Sequence, residues 1–176
     1  MRDSEHSMSI PAPSSRTLSP GGGLLAWLGL SALALLVGAV ASVDARSLYE
    51  QLQQPGWAPP GWVFGPVWTT LYILMGFAAW RVWRIGGFAA RNGVLTLYLV
   101  QLGVNMLWSW LFFSWTMGLA ALADVVVLWM LILATLIGFW RADWLAGLLM
   151  VPYLAWVTLA TALTAWVWSH NPYILG

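Results

Sequence analysis

Polar and apolar positions in this chain do not alternate with the two-residue period of a half-buried strand, nor do they trace the single stripe of a water-facing helix. From Leu24 onward they gather into long apolar runs parted by short polar breaks. A helix needs about 20 apolar residues to cross about 30 Å of hydrocarbon. Five runs have that length, at about 24–43, 63–83, 93–114, 118–140 and 144–168. Lipid offers no partner to backbone N–H and C=O groups, so each run is expected to be helical. Barrel strands would alternate over about ten residues, and these runs do not. The fold class predicted is an all-α membrane protein, a five-transmembrane-helix bundle.

The breaks order the rest. Asp44 and Arg46 end the first run, Arg81, Arg84 and Gly86-Gly87 close the second, and Arg141-Ala142-Asp143 parts the last two. The join at 115–117 is very tight. Residues 1–22 are polar and interrupted by Pro and Gly, and read as a disordered tail ahead of one domain, 23–176. Gly21-Gly22-Gly23 reads as a flexible joint. The tail does not read as a signal peptide, because its only apolar sequel is a full-length span. Residues 44–62 form the one long connection, expected to be ordered. Its first part, 45–53, suits a short amphipathic helix, and its second is stiffened by Pro55, Pro59 and Pro60 and carries Trp57 and Trp62. Such a loop is either a lid over a site or an anchor resting its indoles at headgroup level. These residues alone leave both open.

Composition sharpens the membrane reading. Of 176 residues 61% are apolar and 7% charged, with a mean hydropathy of +0.78, against roughly 25% charged in soluble domains. Five spans put Arg2, Arg16, Arg81, Arg84, Arg91 and Arg141 on one side and Arg46 alone on the other. The positive-inside rule then sets the N-terminus in the cytoplasm. A net charge of +1 excludes the basic footprint of a nucleic-acid binder. Without cysteine there is no disulfide, thiol nucleophile or zinc–thiolate site. His6 and His170 lie near the two ends, out of reach of the bundle centre, so neither an axial haem ligand nor a histidine metal site is expected. No Ser-His-Asp set, phosphate loop or pair of intramembrane carboxylates stands out, so no catalytic residue and no resident cofactor are assigned.

The spans do carry polar and aromatic faces. Gln101, Asn105, Trp108 and Phe112 share one face of the third helix. Two amides a turn apart in lipid need partners, so they are either glue between helices or the wall of an internal cavity. Trp68, Tyr72 and Met75 share a face of the second helix, and Pro152, Trp156 and Ala160 one of the fifth. Pro152 removes a backbone bond and is expected to kink that helix. Asp124 is the one carboxylate clearly inside a span, near the start of the fourth helix, where a structural hydrogen bond is expected of it. Ala34, Gly38 and Ser42 permit close backbone approach on the first helix, toward the bundle or a second protomer.

Four ordered stretches carry a resemblance. They are Gly56-Trp57-Ala58-Pro59-Pro60-Gly61-Trp62-Val63-Phe64-Gly65-Pro66-Val67-Trp68-Thr69-Thr70-Leu71-Tyr72; Gln101-Leu102 with Asn105, Trp108 and Phe112-Phe113; Ala123-Asp124; and Val151-Pro152-Tyr153-Leu154-Ala155-Trp156 with Ala160-Thr161-Ala162-Leu163. Over about 24–171 the chain resembles the tryptophan-rich sensory protein family, also called translocator protein or peripheral-type benzodiazepine receptor. The resemblance implies five helices, often paired as a homodimer, and a ligand pocket roofed by the first loop. It implies porphyrin, haem-related tetrapyrrole or another flat hydrophobic molecule as ligand, held without a histidine axial bond. The carried-over pocket is Tyr49, Trp57, Trp68, Tyr72, Asn105, Trp108, Trp156 and Ala160. The implied role is a receptor or sensor in a bacterial membrane; the alternatives are a porphyrin transporter, or light-dependent porphyrin degradation through tryptophans such as Trp68 and Trp156. Animal members also bind cholesterol and benzodiazepine-type ligands. The Tyr and basic residue of the animal cholesterol motif are missing from Ala162–His170, which removes that basis for expecting cholesterol.

Overall fold

A computed structural model of the chain describes residues 19–176, so the expected tail at 1–18 lies outside the described residues. The described part is all helical. Five helices are long and apolar enough to cross a membrane: α1 (Pro20–Ala41), α3 (Phe64–Trp83), α5 (Asn92–Ser109), α6 (Gly118–Ala142) and α7 (Trp144–His170). Short helices α2 (Ala45–Gln51), α4 (Gly87–Ala90) and α8 (Pro172–Leu175) fill the connections, with one 3₁₀ turn at Gly61–Val63. Leu25, Leu33, Leu36, Ile73, Met130 and Leu148 face outward, as a lipid-facing surface requires. Exposed Trp140 and Trp144 at one end, and Trp57, Trp62 and Trp115 at the other, mark the interfacial levels that suit a ring half wet and half dry.

The first helix begins earlier than its apolar run. Ser19 caps it, accepting a hydrogen bond from the Gly22 amide at 3.2 Å, and Pro20 supplies the first turn. The three glycines are therefore helical, not a joint. Gly23 has a packing reason, because a Cβ there would sit 2.1 Å from the Trp83 ring. Gly76 has another: its Cβ would meet Ser31 Oγ at 2.8 Å and the Leu28 backbone at 3.2 Å. So α1 and α3 cross tightly in the first half of α1 and the second half of α3. Beyond that crossing α1 leans on α5, where Gly38 faces Ser109. The small-residue face of α1 thus serves the bundle: Ala34 is buried, and Ser42 Oγ turns back to the Gly38 carbonyl at 2.8 Å.

The third span does not stay α-helical to its end. Trp110–Ser114 widens into a π turn, and the tight join is closed by Trp115 N to Trp110 O and Met117 N to Leu111 O, both 2.9 Å. Thr116 takes the left-handed region at φ 51°, a conformation disfavoured for a β-branched residue. Ser114 Oγ donates to Ala41 O at 2.9 Å, tying this turn to the end of α1. The last span runs as one helix through Pro152. At the opposite end of the bundle Asp143 caps α7 through the Leu145 and Ala146 amides and pairs with Arg81 at 2.7 Å. Burial raises the Asp143 carboxyl, but the Arg81 hydrogen bond and the two amides outweigh it and hold the group below its ordinary value.

Candidate functional site

A cavity of about 720 Å³ lies in the half of the bundle beneath the first loop. Its walls are the second half of α1, α2, the start of α3, the end of α5 and the last turns of α7; α6 contributes nothing. Sequence periodicity explains the walls. Trp68 and Tyr72 are one turn apart on α3; Asn105 and Trp108 follow on α5 and Phe112 on the π turn that extends it, with Trp108 and Phe112 stacked at 5.4 Å. On α7 the lining begins at Ala160 and continues through Leu163, Thr164 and Val167. Because α1 leans away from α3 past their crossing, one flank is open. Leu36 and Val43 on α1, and Trp62 and Thr69 beside them, line the cavity yet remain exposed.

Asn105 ties the floor together. Its Oδ1 accepts a short hydrogen bond from Tyr72 Oη on α3, and its Nδ2 donates to Tyr153 Oη on α7 at 3.0 Å. Both readings of the α5 amide are therefore met at this residue, which is glue between three helices and also part of the cavity wall. Gln101 separates from it: this side chain is fully buried but does not line the cavity. The Trp108 indole N–H is buried in the wall without a hydrogen-bond acceptor among the described residues.

Of the eight residues carried over from the resemblance, Tyr49, Trp68, Tyr72, Asn105, Trp108 and Ala160 line this cavity. Trp57 does not; it is half exposed. Trp156 does not either. It lies with Pro152 in a shallow groove between α3 and α7, and meets the cavity only through Phe64, whose ring it contacts edge-on at 5.5 Å. The cause is helical drift. Successive four-residue steps advance about 400°, so the face that begins at Pro152 has turned by the time it reaches Ala160.

The loop forms a roof. Tyr49 on α2 donates to the Pro59 carbonyl at 3.0 Å and contacts Phe64 edge-on at 5.6 Å. Burial pushes its phenol above the ordinary value. Asn171, just past α7, clamps the loop from below: its Oδ1 accepts from the Gln53 amide at 2.8 Å, and its Nδ2 donates to Gln53 O at 3.1 Å and Val167 O at 2.8 Å. Nothing in the spacing of the spans singles out Asn171, Phe64, or the pair Arg46 and Glu50 at the cavity mouth. The Asn171-Pro172 step after a helix was the only cue for the first. Asp124, from which a structural hydrogen bond was expected, has a buried Oδ2 with no partner among the described residues.

Comparison with known proteins agrees with this architecture. Residues 26–169 match the model of the TspO/MBR family. The chain is 43% identical to protein CrtK of Rhodobacter capsulatus over 128 residues, covering 70% of this chain and 78% of that protein. It is 44% identical to a tryptophan-rich sensory protein of Cereibacter sphaeroides over 115 residues, 65% of this chain and 71% of the relative. The human translocator protein is 41% identical over 125 residues, 70% of this chain and 74% of its own length. With five apolar helices of spanning length and a family match over most of its length, the chain is an integral, multi-pass membrane protein that belongs to the TspO/MBR family.

Proposed function

We propose that this chain is a membrane receptor that holds a flat, largely apolar molecule of the tetrapyrrole type in the roofed cavity. The observation that carries the reading is the cavity itself: about 720 Å³ with aromatic walls at Trp68, Tyr72, Trp108 and Phe112. Small-molecule sites run at about 300–1,000 Å³, mostly apolar with a few placed polar groups. Indole and phenol rings favour offset or edge contacts with a π-plate. The placed polar groups are few: the Ser109 and Thr164 hydroxyls line the wall, whereas Asn105 is already engaged on both sides. The relatives' names, a sensory protein and a translocator protein, support a role in recognising a small molecule.

The test is quenching of tryptophan fluorescence by protoporphyrin in detergent. Trp68→Ala removes a cavity wall and is expected to weaken binding about tenfold or more, the loss of a well-packed aromatic contact. Trp144→Ala, on an exposed residue at the far end, is expected to leave the affinity as it was. Trp156→Ala acts only through Phe64 and should fall between them. Equal affinities for Trp68→Ala and Trp144→Ala remove the cavity from consideration.

A further inference from the structure

We infer that Arg46 and Glu50 make the cavity selective for ligands that carry a carboxylate on one edge, with the carboxylate held by Arg46 at the mouth; this rests on the cavity being the ligand site. Among the residues lining the cavity only these two are charged, and both belong to α2 in the roof. Spaced four apart on one helix, they pair with Arg46 Nε and Glu50 Oε1 at 3.1 Å. The pair is open to solvent, with side-chain exposures of 91% and 67%, so water and salt weaken it and a competing anion can displace it. Only the Nε–H of the guanidinium is engaged. The terminal nitrogens keep their donors, in the planar fork that grips a carboxylate with two bonds.

The interior of the cavity says where a charge must go. Tyr72 and Asn105 spend their polar atoms on each other and on Tyr153, and the Ser109 and Thr164 hydroxyls that also line the interior are neutral, as is the Trp108 indole. No group there can compensate an ion, and an uncompensated charge in an apolar site is expensive. An amphipathic ligand therefore enters plate first, with its ionised edge left at the roof. There the cation it meets is Arg46, because Arg81, Arg84, Arg91 and Arg141 stand at the opposite end of the bundle, where α3 and α6 end and α5 begins. Asp44, the other charged residue near α2, is not among the lining residues. Nor is His170, which stacks on Trp166 at 3.8 Å. Glu50 acts as the opposing element: it occupies Arg46 in the empty site and repels an anion that lacks enough apolar surface to stay.

The experiment compares two probes with the same macrocycle, protoporphyrin IX with two free propionates and its dimethyl ester, by fluorescence quenching of the purified protein in neutral detergent. Wild type is expected to prefer the diacid about three- to fivefold, the scale of one exposed ion pair. R46Q lowers the affinity for the diacid toward that of the ester, E50Q raises it, and R46K, which keeps the charge but loses the fork, falls between. High salt shrinks the preference in wild type and leaves R46Q unmoved. Equal binding of acid and ester by wild type overturns the inference while leaving the cavity reading intact, as does an R46Q variant that weakens both probes alike. Failure of both probes to bind overturns the cavity reading, and this inference with it.

Discussion

Asn105 shows how one side chain can set both stability and shape. Its amide joins α3 to α7 across α5 through Tyr72 and Tyr153, all three residues being buried. Hydrogen bonds inside membrane bundles contribute modestly, about 0.6 kcal/mol on average and up to about 1.7. Asn105→Ala removes two of them and leaves two buried hydroxyls without this partner. The expected loss is about 1–3 kcal/mol, read as a lower thermal midpoint in detergent. Tyr153→Phe removes only one bond and should cost about half as much. A drop no larger for Asn105→Ala than for Tyr153→Phe removes the bridging role. Asn105 was legible as a polar residue on an aromatic face, since its spacing to Trp108 and Phe112 is helical. Its partners were not: Tyr72 and Tyr153 lie 33 and 48 residues away, and no local pattern announces a bond between helices. Gln101 sits on the same sequence face and still falls outside the cavity, because position along the helix, as well as face, decides what a side chain meets.

Among the elements, the spans were legible and the roof was only half so. Apolar runs of spanning length name helices by the cost of an unpaired backbone in lipid. Their ends moved by a few residues, most at α1, where Ser19 and Pro20 start the helix within a segment that composition alone assigned to the tail. A cap and a close packing contact to Trp83 overrode the usual meaning of three glycines. The choice between lid and anchor depended on docking. Tyr49 and Trp62 line the cavity, as a lid requires, while Trp57 is half exposed and outside the lining, where an anchor would have to be. What holds it down is Asn171, whose three hydrogen bonds join Gln53 to the end of α7. Asn171→Ala is therefore expected to free residues 52–60 without unfolding the spans. Amide exchange in that loop should rise about tenfold or more while exchange in α6 and α7 stays as it was, since loops open locally at less cost than the core. Uniform exchange changes along the chain would show that Asn171 stabilises the whole bundle instead of the roof.

At the scale of the molecule the charges and the cavity share one axis. Arg81, Arg84, Arg91 and Arg141 gather at one end of the bundle, and the roof with Arg46 and Glu50 covers the other. Basic residues near the ends of spans are retained on the cytoplasmic side, so we expect the N-terminal end of α1 to face the cytoplasm and the cavity mouth to open outward. The sequence allows a clean test because it contains no cysteine, and single thiols can be placed without background. Gly56 in the roof and Gly93 at the start of α5 are exposed, and a Cβ at either meets nothing within 4 Å, so Gly56→Cys and Gly93→Cys fit without strain. In intact cells a membrane-impermeant maleimide should label Gly56→Cys and spare Gly93→Cys, and both should react once the membrane is permeabilised. The reverse pattern would turn the molecule over and place the mouth in the cytoplasm. Ligand would then be drawn from the cell interior, and Arg46 alone would obey a rule that its four counterparts break.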